Sequence, residues 1–154
     1  MPHMNTALIE RLVSAGRLDR IFIDGEWVLP AGQARSAVID PSTEEAVVEI
    51  ALGNAQDVDA AVAAARRAFA TWSVTSPQSR SALLDSIHTL ILERTEGFAQ
   101  AISQEMGCAI SVARGAQVPI AAEHIRVARD LAASYPFLTH RGDTAILREA
   151  IGVC

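Results

Sequence analysis

The side chains able to do covalent or acid–base chemistry are few in this chain, and their spacing decides which reactions are open to it. Two cysteines, Cys108 and Cys154, stand far apart with no C-x-x-C pair and no histidine-rich neighbourhood, so neither a redox dithiol nor a zinc knuckle is encoded. Cys108 follows Gly107 at what reads as a helix end. A thiolate nucleophile there would need a base or a cation beside it, and no nearby residue supplies one, so Cys108 is expected to serve as a small apolar core residue. His3, His88, His124 and His140 share no H-x-x-x-H spacing and are expected at the surface or at caps. The 13 basic residues are all arginine, which excludes a Schiff-base lysine or a P-loop lysine.

Composition narrows the class further. Half of the 154 residues are hydrophobic, 5% are aromatic and the formal net charge is -5. Alanine and branched aliphatics dominate, as suits helices packed on a sheet. Scattered arginines on an acidic chain do not make a nucleic-acid surface. No apolar run reaches the ~20 residues of a membrane span, and the first twenty residues lack the apolar stretch and small-residue cleavage site of an export signal. A reduced, cytoplasmic setting is expected.

The elements that must position these side chains follow from local signals. Ala7, Leu8, Leu12 and Val13 recur at helical spacing before Arg20, predicting a short leading helix. From Ile21 to Val28, Asp24-Gly25 separates two apolar arms, the signature of a two-residue hairpin turn. A second hairpin is expected from Ala37–Ile39 and Ala46–Ala51 around Asp40-Pro41-Ser42-Thr43. Val58, Ala61, Val62, Ala65, Ala68, Phe69 and Trp72 then form a stripe of helical period behind Asn54, an N-cap with Asp57 three residues on. Ser76-Pro77 opens a second helix reaching Glu93, with Arg80, Leu83, Leu84, Ile87, Leu90 and Ile91 on one face. Thr95 is expected to cap a third that turns Phe98, Ala99 and Ile102 inward and ends at Gly107. Ser111 to Ser134 is again helical in period, with a kink or fresh start at Pro119. Phe137–Thr139 and Thr144–Leu147 flank His140-Arg141-Gly142-Asp143 as a last hairpin, and Ile151-Gly152-Val153 reads as the start of a strand.

Several strings resemble the aldehyde dehydrogenase superfamily from about Ile21 onward. Phe22-Ile23-Asp24-Gly25-Glu26-Trp27 is similar to the family's FI-x-G-x-W hairpin. Asp40-Pro41-Ser42-Thr43-Glu44-Glu45 resembles its NPxTGE turn, departing from the usual glycine–acid order at the end. Asp57-Val58-Asp59-Ala60-Ala61-Val62, with Ala64-Ala65-Arg66-Arg67-Ala68-Phe69 and Trp72, resembles the family's DVD-x-AV-x-AAR-x-AF-x-x-W helix, the most specific of these strings. Arg148-Glu149-Ala150-Ile151-Gly152-Val153 resembles its REPxGVxG segment, with Ala150 in place of proline.

The resemblance implies an α/β fold, and within it the N-terminal part of the aldehyde dehydrogenase fold: β-hairpins, a helical layer, and the start of the oligomerisation arm and of the Rossmann-like sheet. Residues 1–20 would be a leading helix or flexible segment, 21–136 the N-terminal part of the cofactor-binding domain, 137–148 the oligomerisation hairpin and 149–154 the first strand of the dinucleotide sheet. The family oxidises aldehydes to carboxylic acids with NAD or NADP through thiolate attack, hydride transfer from a thiohemiacetal and thioester hydrolysis. Its nucleophilic cysteine, general-base glutamate, oxyanion asparagine and cofactor turn all belong to segments beyond the last residue here. No catalytic or cofactor-binding residue is therefore assigned, and the chain alone is expected to be inactive and to bind no cofactor. Some relatives hold a monovalent cation by an acidic side chain and by carbonyls preceding the NPxTGE turn, which implies Glu105 with Val38 and Ile39. Expected partners are other aldehyde dehydrogenase subunits, or a second copy, through 137–153. A non-catalytic assembly or regulatory module on the same scaffold is the alternative.

Overall fold

Each of the three turn signals closes a separate two-stranded antiparallel ribbon in the computed structural model, which describes residues 6–153, with side chains from residue 10 onward. After helix α1 (Thr6–Ser14), β1 (Ile21–Ile23) and β2 (Glu26–Val28) pair around Asp24 and Gly25. Both turn residues take positive φ, 56° and 84°, as a type I′ turn demands. β3 (Arg35–Asp40) pairs with β4 (Glu45–Ala51), and β5 (Leu138–Arg141) pairs with β6 (Thr144–Leu147). No ribbon is joined by a further strand among the described residues.

The helices begin where short polar side chains can satisfy their first amides. α2 (Ala55–Trp72) starts from a reciprocal capping box in which Asn54 accepts from Gln56 and Asp57 while Asp57 accepts from the Asn54 amide at 2.8 Å. Asp57 does more than cap. Its carboxylate also accepts from the amides of Ala31 at 2.8 Å and Gly32 at 3.1 Å, which ties the loop after β2 to the start of α2. The Ala31, Asn54 and Gly32 amides hold this carboxyl below the usual aspartate range. Arg67 adds an exposed pair to Asp24 at 2.7 Å on the same ribbon.

α3 (Pro77–Glu93) has the expected Ser76 cap and first-turn proline. α4 (Thr95–Met106) does not start as expected. Arg94 is its N-cap with no side-chain bond, and the Thr95 hydroxyl donates instead to the Ile91 and Leu92 carbonyls, capping the end of α3. The last helical stretch resolves the Pro119 conflict with a π-helical turn, Ala113–Gln117, between the single turn α5 (Ile110–Val112) and α6 (Val118–Ser134). Pro119 then falls in the first turn of α6, where its missing N–H costs least.

The core is thin. Ala99, Ala113 and Val118 form its buried centre, with Ile91, Ile102, Cys108 and Ile110 packed around them. Cys108 is thus a packing residue, and Ser103 donates its hydroxyl to the Cys108 carbonyl at 2.7 Å. Phe98, expected inward, is 44% exposed; the α4 residues that meet the buried centre are Ala99 and Ile102. Val58 and Trp72 of the α2 stripe and Leu83 and Leu90 of α3 are also exposed. The accessible surface is 10950 Å², against about 7,500 Å² for a compact monomer of this mass. The helical faces are patterned for burial that these residues alone do not provide. Ile151–Val153 forms no strand, since no neighbouring strand is placed to supply its ladder hydrogen bonds.

Candidate functional site

The ribbon β3–β4 carries an irregularity beside the residues of interest. Val38 pairs with Val48 and Ile39 with Ala46, so Val47 is the extra residue of a bulge. The turn that follows is built by Asp40, 7% exposed, which accepts the Ser42 hydroxyl at 2.6 Å and the Ser42 amide at 2.8 Å. Those bonds, with a further one from the Thr43 amide, hold its carboxyl below the usual range. Glu44 closes the turn at φ 60°, the left-handed region that glycine enters freely and a side chain enters at a cost.

The end of α4 packs onto this turn. Gly107 has φ 72° and donates its amide to the Ser103 carbonyl at 3.0 Å. Its open face lies against Pro41, where a Cβ would come within 2.8 Å of the proline Cγ. This contact fixes the last turn of α4 beside the bulge. Val38, Ile39, Gln104 and Glu105 consequently line one cleft of about 310 Å³, walled by aliphatic side chains that include Leu12, Leu18 and Ile50. The three residues expected at a cation site are therefore brought to one place.

Sequence reasoning missed Gln104. Its Nε2 is buried there with no hydrogen-bond partner, and an orphaned amide in an apolar cleft is a group awaiting a partner. An amide N–H repels a cation, so ion binding would require the side-chain amide turned over to present Oε1. The side-chain oxygens of Glu105 and of a turned Gln104 are the kind of donor that a hard monovalent ion takes. A glutamine next to the acidic residue was the one available signal. His3 and Cys154 lie outside the described residues. His88, His124 and His140 join no cluster of metal-ligating side chains among the described residues, and no described helix is long and apolar enough to cross a membrane.

Residues 27–154 match the model of the aldehyde dehydrogenase family. The chain belongs to the aldehyde dehydrogenase family. A 3-succinoylsemialdehyde-pyridine dehydrogenase from a Pseudomonas species is 40% identical over 134 residues, which are 86% of this chain and 28% of that relative. Among solved structures, a variant of aldehyde dehydrogenase C from Pseudomonas syringae, in complex with NAD+ and octanal, is 56% identical with a TM-score of 0.82 over 84% of this chain and 27% of its own. An aldehyde dehydrogenase from Bartonella henselae is 38% identical with a TM-score of 0.75 over 78% of this chain and 25% of its own. This aldehyde dehydrogenase chain spans little more than a quarter of the length of the relatives it matches, and corresponds to the N-terminal part of their fold.

Proposed function

We propose that this chain is the N-terminal structural part of an NAD(P)-dependent aldehyde dehydrogenase, an oxidoreductase converting an aldehyde to a carboxylic acid, and that it supports the catalytic apparatus without containing it. The carrying observation is the likeness to the N-terminal quarter of a relative solved with NAD+ and octanal, joined to apolar helical faces that stand uncovered. In this reading residues 21–136 form the start of the cofactor-binding domain, 137–148 the oligomerisation hairpin and 149–154 the entry to the dinucleotide sheet. The uncovered faces of α2 and α3 would pack against the remaining fold. Calorimetric titration of the chain with NAD+, and an assay with octanal, test it. Neither saturable micromolar binding nor turnover above a buffer blank is expected, and either result would overturn the reading.

The same reading assigns Val38, Ile39 and Glu105 to a weak site for Na+ or K+, with Gln104 as an added oxygen donor. A bound ion stabilises the folded state by mass action. KCl should raise the melting temperature more than an ionic-strength-matched large organic cation does, and Glu105→Gln should remove that difference. Equal effects of the two salts, or a difference that survives the substitution, would refute the site.

The partner surface is assigned to 137–153. β5–β6 stands alone with Leu138 54%, Leu147 58% and Ile151 92% exposed, and open strand edges template pairing with another chain. The occupant is another aldehyde dehydrogenase subunit or a second copy.

A further inference from the structure

A second cleft, of about 710 Å³, lies between the C-terminal end of α2, the start of α3 and the segment entering and leaving β5–β6. Its walls are apolar where Phe69, Trp72 and Phe137 contribute, and cationic where Arg80 and Arg148 contribute. Arg80 is half-buried and Arg148 is exposed, and both heads are engaged by neighbours. The Arg80 guanidinium is part-buried, sits 5.4 Å from the Phe137 ring centroid and donates from Nη1 to the Thr75 carbonyl at 2.6 Å. Arg148 lies 5.7 Å from the Tyr135 centroid and donates from Nη1 to the Pro136 carbonyl at 3.4 Å.

Arg35, Arg67, Arg114, Arg126 and Arg129 have acidic partners. Among the described residues Arg80 and Arg148 have none, although Glu149 lines the same cleft. A guanidinium donates five N–H bonds, and the bonds just given leave most of both forks unused. Aromatic rings and neutral carbonyls hold the two heads in place without neutralising them. The half-buried Arg80 charge, with no counter-charge, favours an anion, the exposed Arg148 adds a second cation to the same cleft, and the volume lies in the range of small-molecule clefts.

We propose that this cleft binds a small organic carboxylate with an apolar body, the carboxylate shared between Arg80 and Arg148 and the body packed on Phe69 and Trp72. The inference uses no catalytic residue, but Phe137, Arg148 and Glu149 belong to the 137–153 surface assigned above, so it applies to the chain with that surface free. Trp72 is the natural reporter. In a Trp27→Phe variant it is the sole tryptophan, and its fluorescence should respond saturably to 3-phenylpropanoate. The neutral isostere 3-phenylpropanamide should bind about tenfold more weakly, as loss of a charge-assisted pair requires, and acetate should also be weaker for want of the apolar body. Arg148→Gln should weaken the acid about tenfold while leaving the amide unchanged. Arg80→Gln should do the same, and Arg148→Gln stands as the decisive variant if loss of the Thr75 contact disturbs α3. Equal binding of acid and amide, an Arg148→Gln protein that binds the acid as the parent does, or no saturable response would each overturn the proposal.

Discussion

Gly107→Ala isolates the contact that aligns the end of α4 with the β3–β4 turn. Two costs combine. Gly107 has φ 72°, and a left-handed backbone costs an L-residue about 1–2 kcal/mol, less the ~0.4–1 kcal/mol recovered by restricting the unfolded chain. The added Cβ would also meet Pro41 at 2.8 Å from Cγ and 3.3 Å from Cβ. A ring held by its own turn cannot swing aside, so the overpacking belongs in the range of about 1–3 kcal/mol. The expected loss is about 2–4 kcal/mol. Gly142→Ala is the internal control, since Gly142 has φ 57° but open space around its Cα, and should cost only the backbone part, about 1 kcal/mol. Urea unfolding followed by circular dichroism measures both. Pro41→Ala in the Gly107→Ala background should recover part of the loss, because it removes the Cγ that clashes. If the two glycine variants cost the same, or the Pro41 change restores nothing, the α4–turn contact does not hold the cleft together and the reasoning fails.

Glu44→Gly should stabilise the chain by about 0.5–1 kcal/mol, because glycine relieves the positive φ at 60°; an unchanged or lower urea midpoint would contradict this. Glu96 is held down to about 2 by the Arg114 side chain and by Gln100, so its charged form favours the folded state above the ordinary glutamate range and that contribution fades as pH falls through about 2. Arg114→Gln should move the Glu96 carboxyl titration, followed by NMR, upward toward the ordinary range, and no movement would refute the bidentate pair. Asp57→Asn should loosen the loop after β2, seen as faster amide exchange at Ala31 and Gly32, whose N–H groups it holds; the acid sensitivity of those amides should vanish with the carboxylate, whose lowered value makes its support present at neutral pH and lost on acidification. Ile146→Pro, which removes a donor from β6, should reduce self-association measured by light scattering after size exclusion, and undiminished association would place the contact elsewhere.

What the sequence disclosed was whatever is decided within a few residues. Asp24-Gly25, the Asn54–Asp57 box, Ser76-Pro77 and Gly107 each encode a turn or an end through their own sterics and hydrogen bonds, and each stands where expected. Thr95 misled because a hydroxyl at a helix junction can serve either helix. Arg94 at φ -107°, ψ 17° lets the chain pass from α3 into α4 without an extended residue, so the hydroxyl turned back. Pro119 announced a disturbance without saying that five residues would absorb it as a π turn. At the cleft, nothing in the spacing of Val38, Ile39 and Glu105 brings them together. The family resemblance did so, and the physical cause is the Pro41–Gly107 approach between distant segments. Arg80 and Arg148 were legible only as two more arginines, since what distinguishes them is that the fold brings both to one cleft beside aromatic rings.

The separation of the strands into three ribbons has a kinetic consequence. Among the described residues every strand pairs only with its immediate neighbour in sequence across a short turn, so none of these ladders must wait for a long loop to close. Hairpins of this kind form in about 1–10 μs, far faster than residues emerge during synthesis at about 5–20 per second. Each ribbon can therefore be complete before the next helix has left the ribosome. On the function proposed above, the slow events would be those that bury the exposed faces of α2 and α3 and occupy the free edges of β5–β6. During that interval the nascent chain presents finished secondary structure with unfinished surfaces, the condition in which chaperone binding and mispairing between neighbouring chains compete with productive docking.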